Sequence, residues 1–145
     1  MGKYDALKLE NQLCFPLYAA SREIIKRYKP HLDKLDLTYT QYITMMVLWE
    51  KQQISVKELG EILYLDSGTL TPVLKKLEAK GYITRHRSEK DERGLIVSVT
   101  DIGNTLRDEA LAVPQEVGRC VRLEGDEVAA LYGLLYKLID NMEEE

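Results

Sequence analysis

Residues 55–100 read SVKELGEILYLDSGTLTPVLKKLEAKGYITRHRSEKDERGLIVSVT. Ser55-Val56-Lys57-Glu58 has the pattern of a capping box, and Leu59, Ile62 and Leu63 follow on one face of a short helix. Tyr64-Leu65-Asp66 makes a turn, with Asp66 suited to cap a second helix whose buried stripe is Leu70, Val73, Leu74 and Leu77. Pro72 falls in the second turn of that helix, and Gly81 ends it as a left-handed cap would. Tyr82 to Ser88 and Leu95 to Thr100 have strand character, the second because Leu95, Val97 and Val99 alternate with Ile96, Ser98 and Thr100. Glu89-Lys90-Asp91-Glu92-Arg93-Gly94 is a polar hairpin tip. Helix, turn, helix and two-stranded hairpin is the order of a winged helix-turn-helix, which lays its second helix in a DNA major groove.

Outward from this stretch the chain is helical. Leu9, Leu13, Leu17, Ile24 and Ile25 recur at helical spacing, so a helix is expected over residues 7–28, with Lys29-Pro30 marking its end. Pro16 inside that pattern either bends the helix or lies at the start of its regular part. Residues 31–36 are expected to make one short helical turn. Thr38-Tyr39-Thr40-Gln41 is a second capping box, opening a helix to Lys51. Met45 to Trp49 is continuously apolar, so that helix is expected to be buried on most sides, with the Met pair as core filler. Thr100-Asp101 caps a helix carrying Leu106, Ala110, Leu111 and Val113, interrupted near Pro114. A last helix from about Glu124 carries Val128, Leu131, Leu134, Leu135, Leu138, Ile139 and Met142, a stripe rich enough to dock on a partner subunit.

The 145 residues suit one domain, and no apolar run approaches the roughly 20 residues of a membrane span. The N-terminal residues lack the apolar core of a secretion signal, which points to the cytoplasm, where thiols begin reduced. The two cysteines, Cys14 and Cys120, are too few for a disulfide framework or a zinc site, and no cofactor or metal is expected. Net charge is −4, which by itself argues against a nucleic-acid binder. Its distribution argues otherwise: residues 75–93 hold seven Lys or Arg against four Asp or Glu, a local +3 on an acidic body. Short polar side chains at the start of the second helix, Ser67, Gly68, Thr69 and Thr71, suit base edges and the phosphates near a helix N-terminus. Lys75, Lys76, Arg85 and Arg87 suit phosphates, and Arg93 at the wing tip suits a minor groove.

The segment DSGTLTPVLKKLEAKGYITRHRSEKDERG resembles the multiple antibiotic resistance regulator (MarR) family of bacterial transcription factors, whose wing carries an Asp-x-Arg pattern matched by Asp91-Glu92-Arg93. LENQLCFPLYAASREIIKRYKPHLDKLDLTYTQY resembles the organic hydroperoxide resistance regulator (OhrR) branch. The resemblance implies a mostly α fold with a small hairpin wing: a winged lobe over 37–100 and dimerisation helices within 1–36 and 101–145 of a single domain. It further implies a homodimer reading a palindromic double-stranded operator, repressing a gene, and responding to organic hydroperoxide. The sensing cysteine of the branch matches Cys14, and the tyrosines that hydrogen-bond its sulfur match Tyr28 and Tyr39, with Tyr18 close by. Cys120 falls where members with a resolving cysteine on the other subunit carry it. The chain departs from the branch at Pro16, and at Thr40, where many members have proline.

A free cysteine is usually a small buried hydrophobe. Three features set Cys14 apart: Tyr18 follows four residues on, where a continuous helix brings it toward the sulfur, and the segments around Tyr28 and Tyr39 offer further phenols from other elements. A phenol donating to sulfur favours the thiolate, the form that attacks a peroxide. The leading expectation is therefore a redox-sensing repressor and not an enzyme, because one subunit holds no second cysteine arranged for turnover. The alternative is a MarR-type repressor released by a small aromatic or phenolic ligand in the dimer cleft, with Cys14 incidental.

Overall fold

The computed structural model describes residues 2–90 and 94–143. Two single 3-10 turns, Asp5–Leu7 and Leu9–Asn11, precede helix α1, Cys14–Asp33. The expected helix over 7–28 is thus shifted toward the C-terminus at both ends. Pro16 sits in the first turn of α1, where a backbone amide would lack an intrahelical acceptor anyway. Pro30 does not end the helix. The extra turn carries Leu32 into the core beside Leu35 and Leu37, and that burial, worth about 2 kcal/mol per side chain, offsets the lost hydrogen bond. The chain turns over 34–36, with Asp36 in the left-handed region at φ 55.

Helix α2, Tyr39–Lys51, opens on the complete capping box: Thr38 accepts from the Gln41 amide and Gln41 from the Thr38 amide. It buries Tyr42, Met45, Leu48 and Trp49 but leaves Met46 43 % exposed, so only one of the Met pair fills the core. Strand β1, Gln53–Ser55, leads into α3, Val56–Leu63. Ser55 caps α3 by accepting from the Glu58 amide at 3.1 Å, one half of the box expected there. Leu59 is fully buried, whereas Ile62, expected on the same face, is exposed. Helix α4, Ser67–Ala79, begins on Asp66 and buries Leu70, Leu74 and Leu77. Gly81, at φ 84, then turns the chain into β2, Ile83–Arg87.

Strand β3, Leu95–Val99, pairs antiparallel with β2 in the register Ile83 to Val99 through Arg87 to Leu95. On its other side β3 pairs with β1, Ile54 facing Val97, so the sheet has three strands in the order β1-β3-β2. Thr100 caps α5, Asp101–Ala110, and α6, Val113–Gly118, follows with Pro114 in its first turn. Gly103 lets α5 lie against the hairpin, since a Cβ there would collide with the Tyr82 carbonyl oxygen. The Trp49 indole donates to the Gly103 carbonyl at 2.8 Å, tying α2 to α5. Helix α7, Gly125–Glu143, buries none of its residues within this chain.

Candidate functional site

The basic edge and the thiol lie on different elements, the edge on α4 and β2 and the thiol on α1. At the edge, the Asp66 carboxylate accepts from the Thr69 amide at 2.7 Å, and this bond holds its pKa below the usual carboxylate value. The cap leaves Ser67, Gly68 and Thr69 exposed at the N-terminal end of α4, opposite the buried leucines. Thr71 is half-buried, and its hydroxyl donates to the Ser67 carbonyl at 2.7 Å, leaving the oxygen free to accept. Lys75 and Lys76 are exposed on α4, and Arg87 is exposed on β2. Arg85 is set differently. Its guanidinium lies 3.1 Å from Glu78 with its side chain only 21 % exposed, a contact that draws the Glu78 pKa down. Arg85 therefore clasps β2 to α4. Asp91 and Arg93 lie outside the described residues.

The thiol site is not assembled within one chain. Cys14 is the exposed first residue of α1, at a helix end that has no side-chain cap. Tyr18 lies one turn on, but its ring is taken by Arg22, whose guanidinium sits 5.3 Å from the ring centroid and 3.5 Å from the hydroxyl oxygen. Tyr28 belongs to the same helix as Cys14, not to another element. They lie fourteen positions apart on α1, or about 21 Å along its axis. Tyr28 packs instead on Tyr39, ring centroids 5.0 Å apart, and on Tyr42 at 5.7 Å; Tyr42 in turn meets the edge of Trp49 at 6.5 Å. Burial pushes the Tyr28 and Tyr39 pKa values up and takes Tyr42 to about 12, so all three phenols remain protonated donors.

Tyr42 was a member of this cluster that sequence reading missed. Its spacing of three from Tyr39 on one helix was the available signal. Cys120 follows α6 and, with Val117 and Val121, faces Glu23, Ile24 and Arg27 across a small cavity. Those α1 residues lie roughly 14–20 Å along the helix from Cys14. A disulfide needs Cα atoms within about 7 Å, so the two cysteines of one chain are not placed to join.

Beside Cys14 the surface is apolar and unpartnered. Leu9, Leu13, Phe15 and Leu17 are exposed there, as are Val128, Leu131, Leu134 and Leu138 on α7.

Comparison with known proteins gives the family. Residues 26–110 match the family model described as transcriptional regulator SarA/Rot. The chain is 48 % identical over 144 residues to the organic hydroperoxide resistance transcriptional regulator of Bacillus subtilis, covering 99 % of this chain and 98 % of that one. Among solved structures, a mutant MarR from E. coli complexed with operator DNA superposes with a TM-score of 0.82 at 26 % identity, covering 95 % of this chain and 99 % of that one. This chain belongs to the MarR family, in its organic hydroperoxide resistance branch. Within that family, reduced AbfR bound to DNA matches with a TM-score of 0.80 at 33 % identity, covering 99 % of this chain and 98 % of that one. The disulfide-formed AbfR matches at only 0.64 with the same identity. The MarR fold of this chain is therefore nearer in shape to a reduced, DNA-bound relative than to a disulfide-locked one. Its relatives are transcriptional regulators, and no described helix is long and apolar enough to cross a membrane.

Proposed function

We propose that this MarR-family protein is a cytoplasmic redox-sensing repressor, a homodimer that holds a palindromic operator when reduced and releases it when organic hydroperoxide oxidises Cys14. The observation that carries the reading is the placement of Cys14 at the exposed start of α1, far from Tyr28, Tyr39 and Cys120 of its own chain. The phenols and the second thiol can serve that sulfur only from another copy. The unpartnered apolar residues before α1, along it and on α7 support such a pairing, with residues 1–36 and 101–145 as the dimerisation elements and 37–100 as the DNA-binding lobe.

In the reduced dimer, Tyr28 and Tyr39 of one subunit donate to the Cys14 thiolate of the other. The thiolate attacks the hydroperoxide; its sulfur takes one oxygen as a sulfenic acid, the O–O bond breaks, and the alcohol leaves with a proton from solvent. Cys120 of the partner subunit then displaces hydroxide from that sulfur, giving a disulfide and water. Drawing the two thiols together displaces α1 and changes the separation of the two α4 helices, which a palindrome fixes at about one DNA turn. Ser67, Gly68, Thr69 and Thr71 meet base edges and nearby phosphates; Lys75, Lys76 and Arg87 neutralise phosphates, and the wing residues Asp91 and Arg93 complete the contact. Arg85 acts indirectly, by fixing the wing to α4. An overoxidised AbfR bound to DNA is among the relatives, which supports the disulfide, and not oxidation of the sensor alone, as the releasing step. The 48 % identical peroxide-resistance relative favours this reading over release by an aromatic ligand.

The test is a fluorescence-anisotropy titration at fixed salt, using a duplex selected from a random pool with the reduced protein. One equivalent of cumene hydroperoxide per thiol pair is expected to release the duplex, and dithiothreitol to restore binding. Intact-mass analysis on the same samples follows Cys14. Undiminished binding by protein whose mass shows the Cys14–Cys120 disulfide fully formed would sink the proposal.

A further inference from the structure

The leucines that seat α4, Leu70, Leu74 and Leu77, are held by apolar packing, which has little direction. Its C-terminal end is held differently. Lys80, the residue that closes α4, donates from Nζ to the backbone carbonyl of Asp36 and to the Gln41 side-chain oxygen at 3.2 Å. The Asp36 carboxylate, 3.5 Å away, is largely exposed and adds little. The two neutral oxygens are the stronger partners, because a charged donor strengthens each bond.

Both acceptors belong to the corner between α1 and α2. Asp36 ends the turn after α1, its amide bonded to the Asp33 carbonyl at 3.1 Å. Gln41 is 3 % exposed, and the same side-chain oxygen accepts from the Thr38 amide at 3.1 Å, which closes the capping box. Tyr39 is the first residue of α2, inside that box. One ammonium thus joins the end of the helix that would enter the groove to the cap that sets a sensor tyrosine.

We propose that Lys80 is the positioning residue through which a change at Tyr39 moves α4. The proposal rests on the thiol-sensing reading above. When Tyr39 loses its sulfur contact the start of α2 shifts; the leucines would absorb that shift, but the directional bonds of Lys80 make the end of α4 follow. Without the ammonium, oxidation still occurs and the disulfide still forms, while the displacement reaches α4 weakly.

Two measurements on full-length protein test this with Lys80→Met, which keeps the aliphatic stem, and Lys80→Arg, which keeps charge and donors. In the reduced state, hydrogen–deuterium exchange is expected to rise in Lys80→Met both at residues 38–42 and at 76–81, and to return toward wild type in Lys80→Arg. Unchanged protection at 38–42 in Lys80→Met would overturn the proposal. In the second, Kd for the selected duplex is measured before and after cumene hydroperoxide. A wild-type oxidised-to-reduced ratio on the order of 100-fold should fall to about tenfold or less in Lys80→Met and recover in Lys80→Arg. A ratio within twofold of wild type overturns the coupling. If the wild type itself stays bound after oxidation, the sensing reading fails and with it the redox role of Lys80, whatever the exchange data give.

Discussion

Cys14 owes its position to two prolines as much as to itself. Pro16 is harmless only in the first turn, which fixes the helix start near the sulfur, and Pro30 is tolerated because Leu32 beyond it is buried. Cys14→Ser is expected to bind the selected duplex within about twofold of wild type yet to stay bound after hydroperoxide; release would remove Cys14 from the sensing role. At the DNA edge, Lys75→Ala should weaken binding across all sequences and lower the salt slope, in log Kd against log salt, by about one. The tyrosines give a pH signature. Burial raises the pKa of Tyr28, Tyr39 and Tyr42, so the folded chain holds those protons more tightly than the unfolded one. The stability linked to them is whole below the ordinary tyrosine value of 10.0 and is lost as pH rises toward about 12. Urea denaturation across that range should show the fall, and Tyr42→Phe should flatten it. The identity of these residues could be read from the chain, but their company could not. Tyr28, expected on another element, lies on the unbroken α1 about 21 Å from Cys14, and Arg85, expected at phosphates, pairs with Glu78 within the chain, a contact that no local pattern encodes.

At the scale of elements, cap chemistry was the most legible feature. Thr38, Asp66 and Thr100 each accept from an amide three residues on, a contact confined to one turn and so encoded locally. Strand β1 was not legible, because three residues carry no periodicity and its pairing partner lies more than forty residues away. The hairpin's seat on α5 depends equally on distant contacts, and two glycines separate its causes. Gly103→Ala forces a methyl into the Tyr82 carbonyl and the Val99 side chain, and is expected to cost about 1–3 kcal/mol in thermal or urea denaturation. Gly81→Ala meets open space, so only the left-handed backbone is penalised, at about 1–2 kcal/mol. A small loss at Gly103 would mean that α5 can move off the hairpin.

For the whole molecule, the apolar stripe at the end of the chain was legible in the sequence, and α7 buries nothing within its own chain. Which face of α1 it would meet was not readable, because that depends on a second copy. Sedimentation of the reduced protein is expected to give a dimer at micromolar concentration. On non-reducing gels after stoichiometric hydroperoxide a covalent dimer should form, and Cys120→Ser should abolish it while weakening peroxide-driven release at least about tenfold. A monomeric band from oxidised wild type would remove Cys120 from the sequence of events. The charge distribution belongs to this scale as well: the local +3 of residues 75–93 favours DNA at one edge, while the acidic remainder of the chain disfavours it elsewhere.

The indole of Trp49 sits where these scales meet. It is the single tryptophan of the chain, 7 % exposed, with Tyr42 against it and the Gly103 carbonyl on its N–H. The protein therefore carries its own optical reporter at the joint between the tyrosine cluster and α5. Emission excited at the red edge of the indole band is expected to report any change at that joint in real time, without a dye and without DNA present.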